Sequence, residues 1–73
     1  GVEGVITTSA DVKVVDNKVI FSEIQDTIEV VDMTGRKVAE ARNASEVTVN
    51  AKGIYVVVGK KGSDVASAKV AIK

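Results

Sequence analysis

The sequence predicts an all-β protein, an antiparallel β-sandwich of seven or eight short strands. Three observations predict it. Apolar and polar residues alternate with a period of two along nearly the whole chain. The apolar positions are mostly β-branched Val and Ile, which favour strands over helices. Proline is absent, so every break must fall on Gly, Asn, Asp or Ser. Short strands joined by such turns pack as two antiparallel sheets. A chain of 73 residues makes one domain, residues 1–73, with a modest core and no disulfide to staple it.

Residues 1–11, which include GVEGVITT, read as a linker or a first strand. VKVV (12–15) and KVIF (18–21) flank Asp16 and Asn17, a two-residue loop that tolerates the positive φ of a type I′ turn. That register sets Val14 opposite Val19 and Val12 opposite Phe21 on one face, with Lys13 and Lys18 on the other. TIEVVDM and RKVAEAR form the next hairpin. Gly35 takes the left-handed position of a type I turn with a G1 bulge, and Asp32 accepts a hydrogen bond from the turn backbone. Ile28 and Val30 face inward in this register, with Val38 opposite Val30 and Glu29 and Lys37 outside.

Asn43 and Ala44 predict a turn before SEVTVN, whose Val47 and Val49 face in. Gly53 opens IYVVV. Ile54, Val56 and Val58 share one face of it and Tyr55 and Val57 the other, so this strand is central. A polar loop over residues 60–64 leads to the last strand, with Ala66, Ala68, Val70 and Ile72 on one face and Lys69 and Lys73 on the other.

The composition excludes more chemistry than it suggests. Ten Lys and Arg balance ten Asp and Glu, which argues against a nucleic-acid binder. Phe21 and Tyr55 are the only aromatics, too few for a base-stacking or sugar-binding platform. Without His or Cys there is no conventional nucleophile–base pair and no common zinc ligand set, so neither an enzyme nor a cofactor is expected. Ser-Lys catalysis is the formal remainder, and the five serines sit on ordinary strand ends and turns.

Other candidates have plain structural readings. Glu23 and Asp26 lack the spacing of a calcium loop and read as a solvated loop. Gly35 and Arg36 precede no helix and read as a hairpin turn rather than a phosphate cradle. Tyr55 reads as core packing with its hydroxyl at solvent. Lys60, Lys61, Lys69 and Lys73 read as solvating residues that protect edges. No apolar run approaches the ~20 residues of a membrane span, and no signal peptide is visible. The one methionine is Met33, so the chain reads as a piece of a longer protein with a native carboxyl end at Lys73. That last strand alternates to its final apolar residue. It either forms an edge readable by strand addition or closes the sheet internally, and both stay open.

Three blocks carry a resemblance. The first is Val31, Asp32, Met33, Thr34, Gly35, Arg36, Lys37 and Val38. The second is Gly53, Ile54, Tyr55 and Val56. The third is Lys69, Val70, Ala71, Ile72 and Lys73. In this order, with the third at the carboxyl end, residues 12–73 resemble the type A C-terminal sorting domain of the bacterial type IX secretion system. The approach to Gly53 and the longer loop after Gly59 depart from the family's pattern.

The resemblance implies a seven-stranded immunoglobulin-like sandwich at the end of a cargo protein in Bacteroidetes. Such a domain directs its cargo from the periplasm through the outer-membrane type IX translocon. A sortase-like cysteine peptidase then removes it at the surface. The implied recognition element is Lys69 to Lys73, held by the Asp32–Val38 hairpin and the Gly53–Val56 strand. The rival expectation is an Ig-like stalk or interaction module of a cell-surface protein. Zero net charge and exposed strand edges also leave homodimerisation by strand pairing or exchange open.

Overall fold

The computed structural model describes residues 4–8 and 11–72. It is all-β and antiparallel, a single curled sheet of six strands among the described residues. They are β1 (Gly4–Thr8), β2 (Val12–Val15), β3 (Lys18–Asp32), β4 (Lys37–Thr48), β5 (Gly53–Lys61) and β6 (Asp64–Ile72). The hydrogen-bonded order is β1-β6-β5-β3-β2, with β4 on the other side of β3.

Two expected breaks are absent, which is why six long strands replace seven or eight short ones. The polar stretch after Phe21 stays in β3, and Asn43 and Ala44 lie inside β4 rather than in a turn. The chain bends at both places without reversing. Between Ile20 and Gln25 the ladder to β4 slips: Ile20 faces Glu46 and Gln25 faces Ala44, so four residues of β3 oppose Ser45 alone. Asn43 takes φ +51° there, a left-handed conformation that its short polar side chain tolerates. β3 and β4 thus form a bent ribbon. β2 pairs with its first arm, Lys18–Phe21, and β5 pairs with its second arm, Thr27–Asp32.

The inner face of the curl is the core. Val19, Ile28, Val30, Val57 and Val70 are fully enclosed, each contributing about 1.5–3 kcal/mol by burial. Phe21, Val47, Val49, Tyr55, Ala68 and Ile72 complete it, and Val12, Val14, Ala39 and Ala41 rim it. The expected pairings of Val12 with Phe21 and Val14 with Val19 are present. The turn between them is not type I′, however. Asp16 has φ +55° and Asn17 is not left-handed, so only the first central residue carries the positive φ, the pattern of type II′.

At the bend, Phe21 and Gln25 close over Gly59 of β5. Gln25 is buried, and its Nε2 donates to the Glu23 carbonyl at 3.1 Å. A Cβ on Gly59 would lie 2.6 Å from Phe21 Cε2 and 3.0 Å from Gln25 Oε1. Gly59→Ala should therefore force the enclosed Phe21 ring aside and cost about 1–3 kcal/mol. Urea denaturation should show this as a lowered midpoint with an unchanged slope.

Candidate functional site

The carboxyl-terminal strand is internal. β6 pairs with β5 from Gly53–Ile72 to Lys61–Asp64, and with β1 from Gly4–Ala71 to Thr8–Ala68. From Ala68 to Ala71 both of its edges are therefore occupied, which decides between the two placements of the tail left open by the sequence. Val70, Ala71 and Ile72 are buried, and Lys69 is half-buried. Val70 and Ile72 point into the core beside Tyr55 and Val57, while Lys69 lies opposite Val56 on the outer face. Lys73 lies outside the described residues. A partner could not add a strand along Ala68 to Ala71 without displacing β1.

The hairpin motif forms as the residue types require. Gly35 has φ +91°, its N–H donates to the Asp32 carbonyl at 3.0 Å, and the Asp32 N–H donates to the Arg36 carbonyl at 2.9 Å. This is a type I turn closed by a G1 bulge. The Asp32 carboxylate gathers the turn through Oδ1. It accepts from the Thr34 hydroxyl at 2.5 Å, the Thr34 N–H at 2.9 Å and the Arg36 N–H at 3.0 Å. Arg36 thus meets Asp32 through its backbone. Those donors, the Thr34 hydroxyl first, hold the Asp32 carboxyl below its ordinary value.

Val38 departs from its expected place. A second register shift sets Ala39 opposite Val30 and Lys37 opposite Val31, leaving Val38 as the extra residue. It is 42% exposed, and Ala39 and Ala41 line the core instead. Glu29 and Lys37 do share the outer face, 3.8 Å apart, and Lys60 reaches Glu29 at 3.5 Å.

The Gly53–Val56 block anchors the next hairpin. β5 is central, between β3 and β6. Tyr55 is 6% exposed, and its hydroxyl does not reach for solvent: it donates to the Ala51 carbonyl at 3.0 Å, with the Lys52 carbonyl at 3.3 Å. A Cβ on Gly53, whose φ is +147°, would touch that hydroxyl at 3.4 Å. The glycine therefore lets the chain turn tightly past the ring. Ile54 and Val56 lie on the outer face, Ile54 exposed and Val56 half-buried.

The remaining polar candidates have structural work. Glu23 and Asp26 are strand residues of β3, not a loop. Glu23 accepts from Lys61 Nζ at 2.9 Å, and Asp26 accepts from the Gly62 N–H at 2.7 Å. They tie the β5–β6 loop down separately. With Lys60 and Lys61 each beside a carboxylate, those two do not form a free basic patch. Among the described residues no cluster of three metal-ligating side chains converges. Residues not anticipated from the sequence are Gln25 and Gly59 at the bend, and Glu40 and Arg42, whose side chains meet at 3.5 Å on β4.

Comparison with protein-family models, curated proteins and solved structures found no match.

A carboxyl with a lowered folded pKa stabilises the fold when ionised. That contribution is complete above its ordinary value of 3.8 and disappears as the pH falls through the lower folded value. Asp32→Asn keeps an acceptor oxygen and removes the titration, so it should flatten the acid limb of the stability–pH curve below about pH 4. Tyr55→Phe should cost about 1 kcal/mol in urea denaturation, by removing the donor to the Ala51 carbonyl.

Proposed function

We propose that this chain is a non-catalytic C-terminal sorting domain of the type A, type IX secretion class. The observation that carries the reading is the ordered trio of Val31–Val38, Gly53–Val56 and Lys69–Lys73. The geometry is consistent with it. Two of the three blocks are structural devices, a carboxylate-gathered turn and a tyrosine-locked strand entry, and the third is seated between strands.

The immunoglobulin-like sandwich belongs to this proposal. Taken as separate arms, the bent β3–β4 ribbon divides the sheet into two layers. One holds β2 with the first arm of β3 and the second arm of β4. The other holds β1, β6 and β5 with the remaining arms. The Tyr55 hydroxyl returning to a carbonyl four residues upstream parallels the tyrosine corner of such sandwiches.

As an address, the domain performs no turnover. Its cargo precedes it covalently, the translocon reads it in the periplasm, and a sortase-like cysteine peptidase removes it at the outer-membrane surface or on release. Burial of Val70, Ala71 and Ile72 assigns them to holding the tail in register. Recognition by side chains then falls on Lys69 and Lys73, within a shape kept by Asp32, Gly35, Gly53 and Tyr55. The second reading is an Ig-like stalk or interaction module of a cell-surface protein. The observation favouring it is that same burial, which gives the tail a sufficient purpose in packing.

The test fuses residues 1–73 to the carboxyl end of an inert periplasmic reporter, in a strain with an active type IX translocon. Lys69→Glu/Lys73→Glu accompanies it, because truncation at Lys69 would also remove the buried Val70 and Ile72. Surface or medium reporter with the native tail, and periplasmic retention with the folded charge-reversed one, is the expected result. Retention of both folded fusions would replace the sorting reading with the stalk.

A further inference from the structure

The long outer edge of β4 has no strand beside it among the described residues: β4 pairs with β3 and with nothing else. It runs from Lys37 to Thr48, the second longest strand of the sheet. The bulge at Val38, the kink at Asn43 and the charges of Lys37, Glu40 and Arg42 protect part of this edge, but two other usual protections are missing. The chain has no proline, and the inward positions of the first arm are Ala39 and Ala41, not charges. We infer that this edge is a self-association surface, on which β4 pairs antiparallel with β4 of a second copy, centred on Ala41.

The register follows from symmetry and charge. Two copies of one strand pairing antiparallel side by side are related by a two-fold axis normal to the sheet. Such an axis keeps each residue on its own face, so it must pass between a residue and that residue's own copy. Of the four centres in the regular part of the first arm, Ala39 sets Glu40 against Val38 and Ala41 against Lys37 and so pairs no opposite charges, which leaves three. Centring on Glu40 sets Glu40 against Glu40. Centring on Arg42 sets Arg42 against Arg42. Centring on Ala41 sets Glu40 against the partner's Arg42 and Arg42 against the partner's Glu40. Unlike charges directly opposite stabilise a strand pair and like charges destabilise it, so the sequence selects the third.

Glu40 already holds Lys37 at 3.2 Å and its side chain is 28% exposed, so the partner's Arg42 shares it with Lys37. Arg42 is 75% exposed, and it already lies 3.5 Å from Glu40 of its own strand, so the pair projects from one face at the edge. At the centre, Ala41 meets Ala41 with no bulk to separate the backbones. A formal net charge of zero leaves no long-range repulsion between copies. Asn43 and Val38, where β4 is kinked and bulged, limit the regular ladder to the residues between them. The pairing is therefore short and weak. It does not depend on the sorting proposal.

The test is sedimentation velocity from about 10 µM to about 1 mM, the range in which a small interface associates. The native chain should shift from monomer to dimer. Glu40→Arg alone and Arg42→Glu alone each turn both attractive pairs repulsive and should weaken dimerisation about tenfold. The double exchange Glu40→Arg/Arg42→Glu restores the opposition and should restore the dimer, with circular dichroism confirming that all three variants stay folded. The chain has no cysteine, so Ala41→Cys supplies a single thiol opposite its own copy and should give a disulfide-linked dimer under mild oxidation. Ala44→Cys, two positions beyond Arg42, should not. A native chain that stays monomeric at the top concentration overturns the proposal. So does a dimer that ignores both single reversals.

Discussion

Everything in this fold depends on β3 bending without breaking. One strand must offer hydrogen bonds to β4 along its length and, on its other side, to β2 first and β5 afterwards. A straight strand cannot do that and also enclose a core. The bend is made by surplus residues of β3 set against Ser45, by the left-handed Asn43, and by the glycine at position 59. Phe21 and Gln25 occupy the room that a side chain at Gly59 would take. The apolar ring and the amide, bonded to its own backbone, together seal the corner where a sheet this narrow would otherwise admit water.

The rest of the molecule hangs on that corner in a simple way. With the sheet curled, the inner positions of every strand from β2 to β6 share one core, and the outer positions carry paired charges. The polar groups found at candidate positions are already engaged. Asp32 gathers a turn, Tyr55 locks a strand entry, and Glu23 and Asp26 restrain a loop. What the surface offers to a partner, among the described residues, is shape, the outer edges of β1, β2 and β4, and a few lysines.

Much of this was legible in the residues. Period-two alternation gave the strands, and the Val12–Phe21 register came from two residues between two apolar runs. The Asp32–Gly35 turn was legible because aspartate, then glycine three residues on, has a specific geometric meaning. The bends were not. Ser22 to Asp26 is polar enough to look like a loop, yet an antiparallel strand with one face in water accepts such a run. Asn43 signals positive φ whether the chain reverses or only kinks. Val38 was misplaced because a single bulged residue offsets the pairing of its neighbours, and nothing local marks the bulge. The placement of β6 was out of reach for a different reason. Its neighbour β1 lies at the opposite end of the chain, and alternation along a strand says which face is buried but not which strand lies alongside. Gln25 and Gly59 carried a faint signal, since a small residue in the middle of a central strand often marks a close approach from a neighbouring layer.

The seam between β1 and β6 has a mechanical consequence. The two strands run antiparallel, with Gly4 opposite Ala71 at one end of the ladder and Thr8 opposite Ala68 at the other. Tension applied through Gly4 and Ala71 therefore loads the first rung alone, then the next, as a zipper is opened. It does not load all the rungs together, as it would if the strands were sheared along their length. A fold of this topology yields from the open end of that ladder. The strand that seals the core is the one such a pull frees first.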